Sequence, residues 1–205
     1  MKSPHLLNLT SRAPALESCA ETVQGAFEIL RDSYRAKGKL LLCGNGGSAA
    51  DSDHIAGELL KGFRKSRSLS DDEKRTLPAA WADKLQGSLP AIPLNAFLAL
   101  GSAFANDVEA ELIYAQLVWG LGNRGDVFLG ISTSGNARNV CAAAQVARAR
   151  GLKTIALTGE SGGNLAPLCD LAIRVPASET YLVQEYHLPI YHCLCLMLED
   201  EFFGV

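Results

Sequence analysis

The sequence predicts an α/β fold in which a central parallel sheet is covered by helices on both faces. Three observations carry that prediction. Short apolar runs alternate with segments of helical periodicity, the runs are continuous, and three of the loops that follow them are rich in glycine, serine and threonine. Strands buried on both faces read as unbroken apolar runs, and a strand–helix alternation places successive strands parallel. Ligands of such sheets bind beyond the C-terminal ends of the strands, where those loops fall.

Taken in order, residues 14–37 predict one long amphipathic helix. Leu16, Ala20, Val23, Phe27, Leu30 and Tyr34 recur at spacings of three and four, and Gly38 stands where a helix stop belongs. Residues 40–43 then form the first strand, and the glycine-rich turn Gly44–Ser48 opens onto a helix carrying His54 and Glu58. Ser48 followed by Asp51 has the spacing of a helix cap with its reciprocal partner. The charged stretch from Arg64 to about Leu89 reads as a surface insertion with a short helix near Trp81. Leu89–Leu94 is a short strand that its two prolines confine to an edge. Helices follow over 95–104 and 108–119, separated by Asn106–Asp107. Residues 126–131 form a strand ending in Ser132-Thr133-Ser134-Gly135-Asn136, with a helix over 137–149 stopped by Gly151. Strands over 153–158 and 171–176 complete a five-stranded sheet, and a largely apolar helix runs from 179 to about 203. It contains Gln184, His187 and His192, with a kink expected at Pro189.

Length and composition narrow the function. At 205 residues, 48% apolar and 20% charged, the chain has the composition of one globular domain with a full core. A net charge of −3 argues against nucleic-acid binding, and no apolar run approaches the ~20 residues of a membrane span. The start of the chain, Met1–His5, lacks the apolar core of a signal peptide, so the expected location is the cytoplasm. The six cysteines include no C-x-x-C pair and sit in apolar surroundings, which predicts buried free thiols rather than disulfides or a thiolate metal site.

The motifs point to an anion. The turn G-N-G-G-S lacks both the dinucleotide fingerprint and the lysine of a P-loop. Its glycines still let backbone N–H groups approach a phosphate at a helix N-terminus, with Ser48 adding a hydroxyl. The Ser132-Thr133-Ser134 turn offers three more hydroxyls at a second strand end, a set that binds a phosphate monoester without introducing positive charge. His54 and Glu58, four residues apart, share one helical face. Gln184 and His192 are eight apart and diverge by about 80° on a straight helix.

The three segments G-N-G-G-S-x-x-D-x-x-H-x-x-x-E, G-I-S-T-S-G-N and Q-E-x-H-x-x-x-x-H together resemble the phosphoheptose isomerase family of SIS (sugar isomerase) domain proteins. The resemblance spans nearly the whole chain, and it implies a single SIS domain over 1–205: a three-layer sandwich around a five-stranded parallel sheet, with an N-terminal helical segment over 1–38. It implies a phosphate site from Gly46, Gly47, Ser48, Ser132, Thr133 and Ser134, with Asn45 and Asp107 contacting sugar hydroxyls. It also implies zinc held by His54, Glu58, Gln184 and His192, with Gln184 also meeting substrate, Glu58 as general base and His192 as general acid. The implied reaction converts sedoheptulose 7-phosphate to D-glycero-D-manno-heptose 7-phosphate, in a homo-oligomer, typically a tetramer. Departures include the longer 64–89 connection, Ala137 where a serine often stands, and Pro189 between Gln184 and His192. An isomerase of another ketose phosphate, or a non-catalytic SIS-domain regulator or adaptor, shares the phosphate loops.

Overall fold

The computed structural model describes residues 3–204; Met1 and Lys2 of the N-terminal stretch, and Val205, lie outside the described residues. Five strands, β1 (Leu40–Cys43), β2 (Ala91–Pro93), β3 (Val127–Ser132), β4 (Lys153–Thr158) and β5 (Leu171–Arg174), form one sheet. Every pairing is parallel, in the order β2-β1-β3-β4-β5. The chain leaves β1 for β2 on one side and then crosses to β3 on the other. The C-terminal ends of β1 and β3, paired through Cys43 and Gly130, therefore flank the point where strand order reverses.

Pleating assigns successive strand residues to opposite layers. Leu40, Leu42, Leu129, Ile155 and Ile173 join the core beneath helices α2 (Ala20–Arg35), α3 (Gly47–Leu60) and α9 (Thr180–Phe203). Leu41, Cys43, Phe128 and Ala156 join a second core with α7 (Ile113–Leu121) and α8 (Arg138–Ala149). The expected three-layer sandwich is therefore present. β2, with Pro93, lies at an edge as its prolines require. All six cysteines are free, and four are fully buried, while Cys141 and Cys169 are half-buried.

The N-terminal region departs from the single helix predicted over 14–37. It consists of α1 (Pro4–Arg12), a 3₁₀ segment over Pro14–Cys19, and α2. Pro14 disfavours helical backbone at the residue before it, and Ala13 accordingly adopts φ −132°, ψ 77°. The stop of α2 is also one residue earlier than predicted. Lys37 takes the left-handed conformation (φ 64°), with Gly38 N–H donating to the Ser33 carbonyl and Lys37 N–H to that of Tyr34, the bond pair of a Schellman motif. Gly38 is still required, because an added Cβ would meet Ser33 Oγ and, at 2.9 Å, the Gly125 carbonyl.

Two further expectations change. The helix expected over 108–119 is a π-turn (Ala105–Glu109), a 3₁₀ turn (Ala110–Leu112) and then α7; Glu109, in extended backbone (φ −160°), interrupts it. The 64–89 stretch carries two short helices, α4 (Asp71–Arg75) and α5 (Ala79–Ala82), but it is not wholly a surface excursion, because Arg67 is fully buried. Between β2 and α7 lies α6 (Leu98–Phe104).

His187, inside α9, is fully buried, and neither ring nitrogen meets a hydrogen-bond partner. Burial pushes its pKa down to about 4, a shift that the nearby Thr158 backbone partly opposes. The folded protein therefore holds a neutral ring, while unfolded chains take up the proton first as pH falls. Stability on this account is complete above pH 6.5 and declines toward pH 4, by on the order of 3 kcal/mol. Urea midpoints at pH 7 and pH 5 are expected to lie closer together in His187→Leu than in the parent protein. An unchanged gap would show that other groups cause the acid sensitivity.

Candidate active site

A cavity of about 240 Å³ opens at the C-terminal ends of β1 and β3, lined by Asn45, Ser48, Ser132, Thr133, Ser134 and Asn136 among others. Every residue lining it is uncharged. Its capacity for an anion therefore rests on hydroxyls, backbone amides and the α3 N-terminus.

The β1–α3 turn is shaped by its glycines. At Gly44 an added Cβ would stand 2.6 Å from the Ser48 carbonyl oxygen, and Gly46 takes φ 56°, ψ −121°. Gly46, not Ser48, flanks the first turn, so the predicted Ser48–Asp51 cap does not form. Ser48 lies inside the helix, buried and facing the cavity. Gly47 must be glycine for another reason: a Cβ there would overlap the Gln184 amide nitrogen. Gln184 thus lies against the turn, with its amide at the start of α3.

The second loop is held from behind. Gly135 (φ 68°) packs on Gly162, so that a side chain at 135 would overlap the Gly162 carbonyl. Gly159 N–H donates to the Thr133 carbonyl (2.9 Å), Leu165 N–H to that of Gly135 (2.9 Å), and Asn164 N–H to Asn136 Oδ1 (3.0 Å). The third glycine-rich loop, over 159–163, therefore does not line the cavity; it buttresses the loop that does. Asn45 forms a reciprocal amide pair with Asn139 (2.9 Å each way), and the Tyr114 hydroxyl donates to the Gly44 carbonyl (2.7 Å). Asp107 is exposed on the π-turn, accepts from Asn106, and is not among the residues lining the cavity.

Farther along α3, His54 and Glu58 meet α9. His54 Nε2 lies 3.2 Å from Glu58 Oε1 and 3.5 Å from His192 Nε2. His54 and His192, 138 residues apart, thus meet within one subunit. α9 continues through Pro189 without a break in the helix. It lies along α3, so that Gln184 reaches the start of that helix and His192 its middle. The His192 ring is walled by Tyr191, His54 and Phe63 at centroid distances of 5.0, 5.0 and 5.4 Å. Burial and then the neighbouring His54 hold the His192 pKa below the usual imidazole value. Glu58 Oε2 faces Lys61 Nζ at 3.4 Å, which places Lys61 beside the carboxylate.

The donor chemistry suits a divalent ion. At zinc–donor bond lengths of about 2.0–2.1 Å, neighbouring ligands of a tetrahedral ion stand about 3.3–3.4 Å apart. The two separations at His54 Nε2 bracket that value. Among the described residues no group of three or more His, Cys, Asp or Glu side chains is placed so that it could hold a metal ion as it stands. The distances around His54 are those of a pair of edges rather than a finished coordination shell.

Sequence reasoning missed four contributors: Asn139, Tyr114, Phe63 and Tyr191. Each is an ordinary core or cap residue by pattern, and only the folded contacts single it out.

Residues 94–197 match the SIS domain family. A phosphoheptose isomerase from a Nitratiruptor species is 43% identical over 171 residues, covering 83% of this chain and 81% of its own length. The phosphoheptose isomerase structure from Francisella tularensis superposes with a TM-score of 0.78 at 30% identity, over 93% of this chain and 92% of that one. The structure of phosphoheptose isomerase GmhA from Neisseria gonorrhoeae gives a TM-score of 0.76 at 30% identity, over 95% and 93% of the two chains. The family match over half of the chain and the near-full-length similarity in sequence and fold converge on one assignment: the chain belongs to the phosphoheptose isomerase family of SIS-domain proteins.

Proposed function

We propose that the chain is an aldose–ketose isomerase that converts sedoheptulose 7-phosphate to D-glycero-D-manno-heptose 7-phosphate. The observation that carries this reading is the placement of one carboxylate and two imidazoles on and beside the helix that begins at the uncharged anion cavity. His54 lies six residues beyond Ser48, a rise of about 9 Å along α3, comparable with the extent of a phosphorylated heptose. The phosphate is held by Ser48, Ser132, Thr133 and Ser134 with the Gly46–Gly47 backbone, and fixes the far end of the sugar. Asn45 meets a sugar hydroxyl. Asp107 would reach the substrate only by moving from its exposed position or from another subunit.

The chemistry needs a proton removed beside the carbonyl and protons exchanged at the two oxygens. Glu58 takes the C1 proton of the ketose, electrons pass into a C1–C2 enediol, and the same carboxylic acid returns a proton to C2. His192, neutral at pH 7, donates an N–H to the carbonyl oxygen and takes the hydroxyl proton from its neighbour. His54, Glu58 and His192 would hold zinc, with the Gln184 amide oxygen as a fourth ligand after a side-chain rotation away from Gly47. Zinc bound there supplies Lewis-acid polarisation of the substrate carbonyl.

Incubation of the purified chain with sedoheptulose 7-phosphate, with and without chelator, tests this directly. Aldose formation is expected, and it is expected to fall on metal removal. No turnover of any ketose phosphate would leave the regulator reading in its place, and full turnover after exhaustive chelation would remove zinc alone.

A homo-oligomer, a tetramer in our reading, is supported by apolar surface on the α6–α7 side. Leu98 is 79% exposed, Val108 63% and Trp119 58%, a cost in water that burial against another copy would relieve. Sedimentation velocity is expected to give a species larger than the monomer, and a monomer at micromolar concentration would contradict it. No helix among the described residues is long and apolar enough to cross a membrane. We assign the protein to the cytoplasm, where its sugar-phosphate substrate would be found.

A further inference from the structure

We propose that Tyr191 is a positioning residue that, together with Asp51, sets the tautomer of His54 and so presents its Nε2 lone pair to the reaction centre. This rests on the reading of His54 as a metal ligand, and it concerns residues that reading does not include.

The geometry is a chain of three groups from two helices. The Tyr191 hydroxyl donates to Asp51 Oδ1 at 3.2 Å, and the same oxygen lies 3.0 Å from His54 Nδ1. Asp51 and His54 are one turn apart on α3, while Tyr191 comes from α9 beside His192. Tyr191 is 2% exposed, and its hydroxyl is held by these two protein partners. The two rings stand edge to face, with centroids 5.4 Å apart, which fixes the imidazole plane.

Proton counting then assigns the direction of each bond. A phenol has one hydrogen and two lone pairs, and a carboxylate accepts only. With the Tyr191 hydrogen committed to Asp51, the contact to His54 holds only if Nδ1–H donates to the phenol oxygen. A neutral imidazole protonated at Nδ1 has its lone pair at Nε2. That nitrogen is the one facing Glu58 Oε1 and His192 Nε2. A lone pair set against a carboxylate is repulsive until a cation occupies the space. The relay therefore holds an unprotonated donor ready in a position where an unrestrained imidazole could carry its hydrogen instead.

A Tyr191 that merely fills the core predicts a different outcome on losing its hydroxyl. In Tyr191→Phe the ring volume and the edge-to-face contact remain, while the acceptor for Nδ1–H is gone. In Asp51→Asn the amide can donate to the phenol oxygen, which frees the tyrosine hydrogen to point at Nδ1 and favours the opposite tautomer. Both variants keep the volume of the residue they replace.

The test uses the full-length protein labelled with ¹⁵N-histidine. Long-range ¹H–¹⁵N correlation spectra, recorded metal-free above pH 7, read which nitrogen of His54 carries the proton. The parent protein is expected to show Nδ1–H only. Tyr191→Phe is expected to show a mixture and Asp51→Asn a shift toward Nε2–H. Titration with zinc alone against a competing chelator is expected to show a 10–100-fold weaker affinity in Tyr191→Phe, the usual effect of removing the group that orients a histidine ligand. Thermal melting reports separately whether the fold survives. An Nδ1–H tautomer retained in both variants, or an Nε2–H tautomer in the parent protein, would overturn the proposal. If the parent protein turned over no sugar or bound no zinc, the functional reading would fail, and the tautomer spectra would still decide the role of Tyr191.

Discussion

Glu58→Gln is expected to lower kcat for sedoheptulose 7-phosphate by roughly 10²–10⁴-fold, the usual loss when a positioned base is removed. The substitution keeps the side-chain length and volume but cannot take a proton. The Glu58 side chain is 13% exposed and sits between His54 Nε2 and Lys61 Nζ, so a replacement amide stays within reach of the same neighbours. Inhibition by inorganic phosphate is expected to be unchanged, because the hydroxyls of Ser48, Ser132, Thr133 and Ser134 line a separate cavity. A variant that retained parental kcat would remove Glu58 from the base role. One that lost phosphate inhibition as well would indicate that α3 had moved, and His54 would then be the residue to retest.

Glu199→Gln is expected to destabilise the fold by about 3–5 kcal/mol, the range seen when one partner of a buried ion pair is removed. Arg67 and Glu199 are both essentially inaccessible, with side chains 0% and 1% exposed and Nε and Oε1 2.9 Å apart. The carboxylate also accepts from the backbone N–H groups of Phe63 and Arg64 (2.8 Å each) and Lys65 (3.2 Å). Burial alone would raise the Glu199 pKa; those amides and the guanidinium bring it below the ordinary value. Arg67 donates onward to the carbonyls of Leu59 (2.7 Å) and Glu58 (2.8 Å), the last turn of the helix that bears the proposed base. Its guanidinium lies 4.7 Å from the Phe203 ring centroid. The clamp thus ties the end of α3 to the end of α9. Removing the Glu199 charge leaves Arg67 buried without its counter-ion.

Urea unfolding of Glu199→Gln, Arg67→Met and the double variant measures the coupling. The double variant is expected to cost less than the sum of the singles, since it leaves no charge unpaired. Strict additivity would mean that the two groups act independently despite their contact.

The parts of this protein legible in its sequence are those encoded by short-range pattern. Unbroken apolar runs announced a sheet buried on both faces, and Leu40-Leu41-Leu42-Cys43 does face two cores at once. The prolines at 90 and 93 announced an edge strand. The G-N-G-G-S and S-T-S-G turns announced loops that meet at the strand ends, and residues of both do line one cavity there. The misread segments failed for equally local reasons. Pro14 broke a helix whose apolar stripe ran past it, and Lys37 took a left-handed conformation that pattern reserves for glycine.

What folding added is contact between residues that no periodicity relates. His54 and His192 meet across 138 positions because α9 lies along α3, and neither helix encodes that alignment in its own stripe. Arg67, in a charged run that reads as solvated, is buried because Glu199 waits for it 132 residues later. The third glycine-rich loop resembles a ligand loop in composition and serves as a brace, since its Gly159 amide is spent on the Thr133 carbonyl and the Leu165 amide just beyond it on that of Gly135. Tyr191 looks like any core aromatic until its hydroxyl is found between Asp51 and His54. Composition and spacing thus define what each segment can form by itself. The pairing of charges and the direction of hydrogen bonds emerge only when packing removes water from around the polar groups it buries.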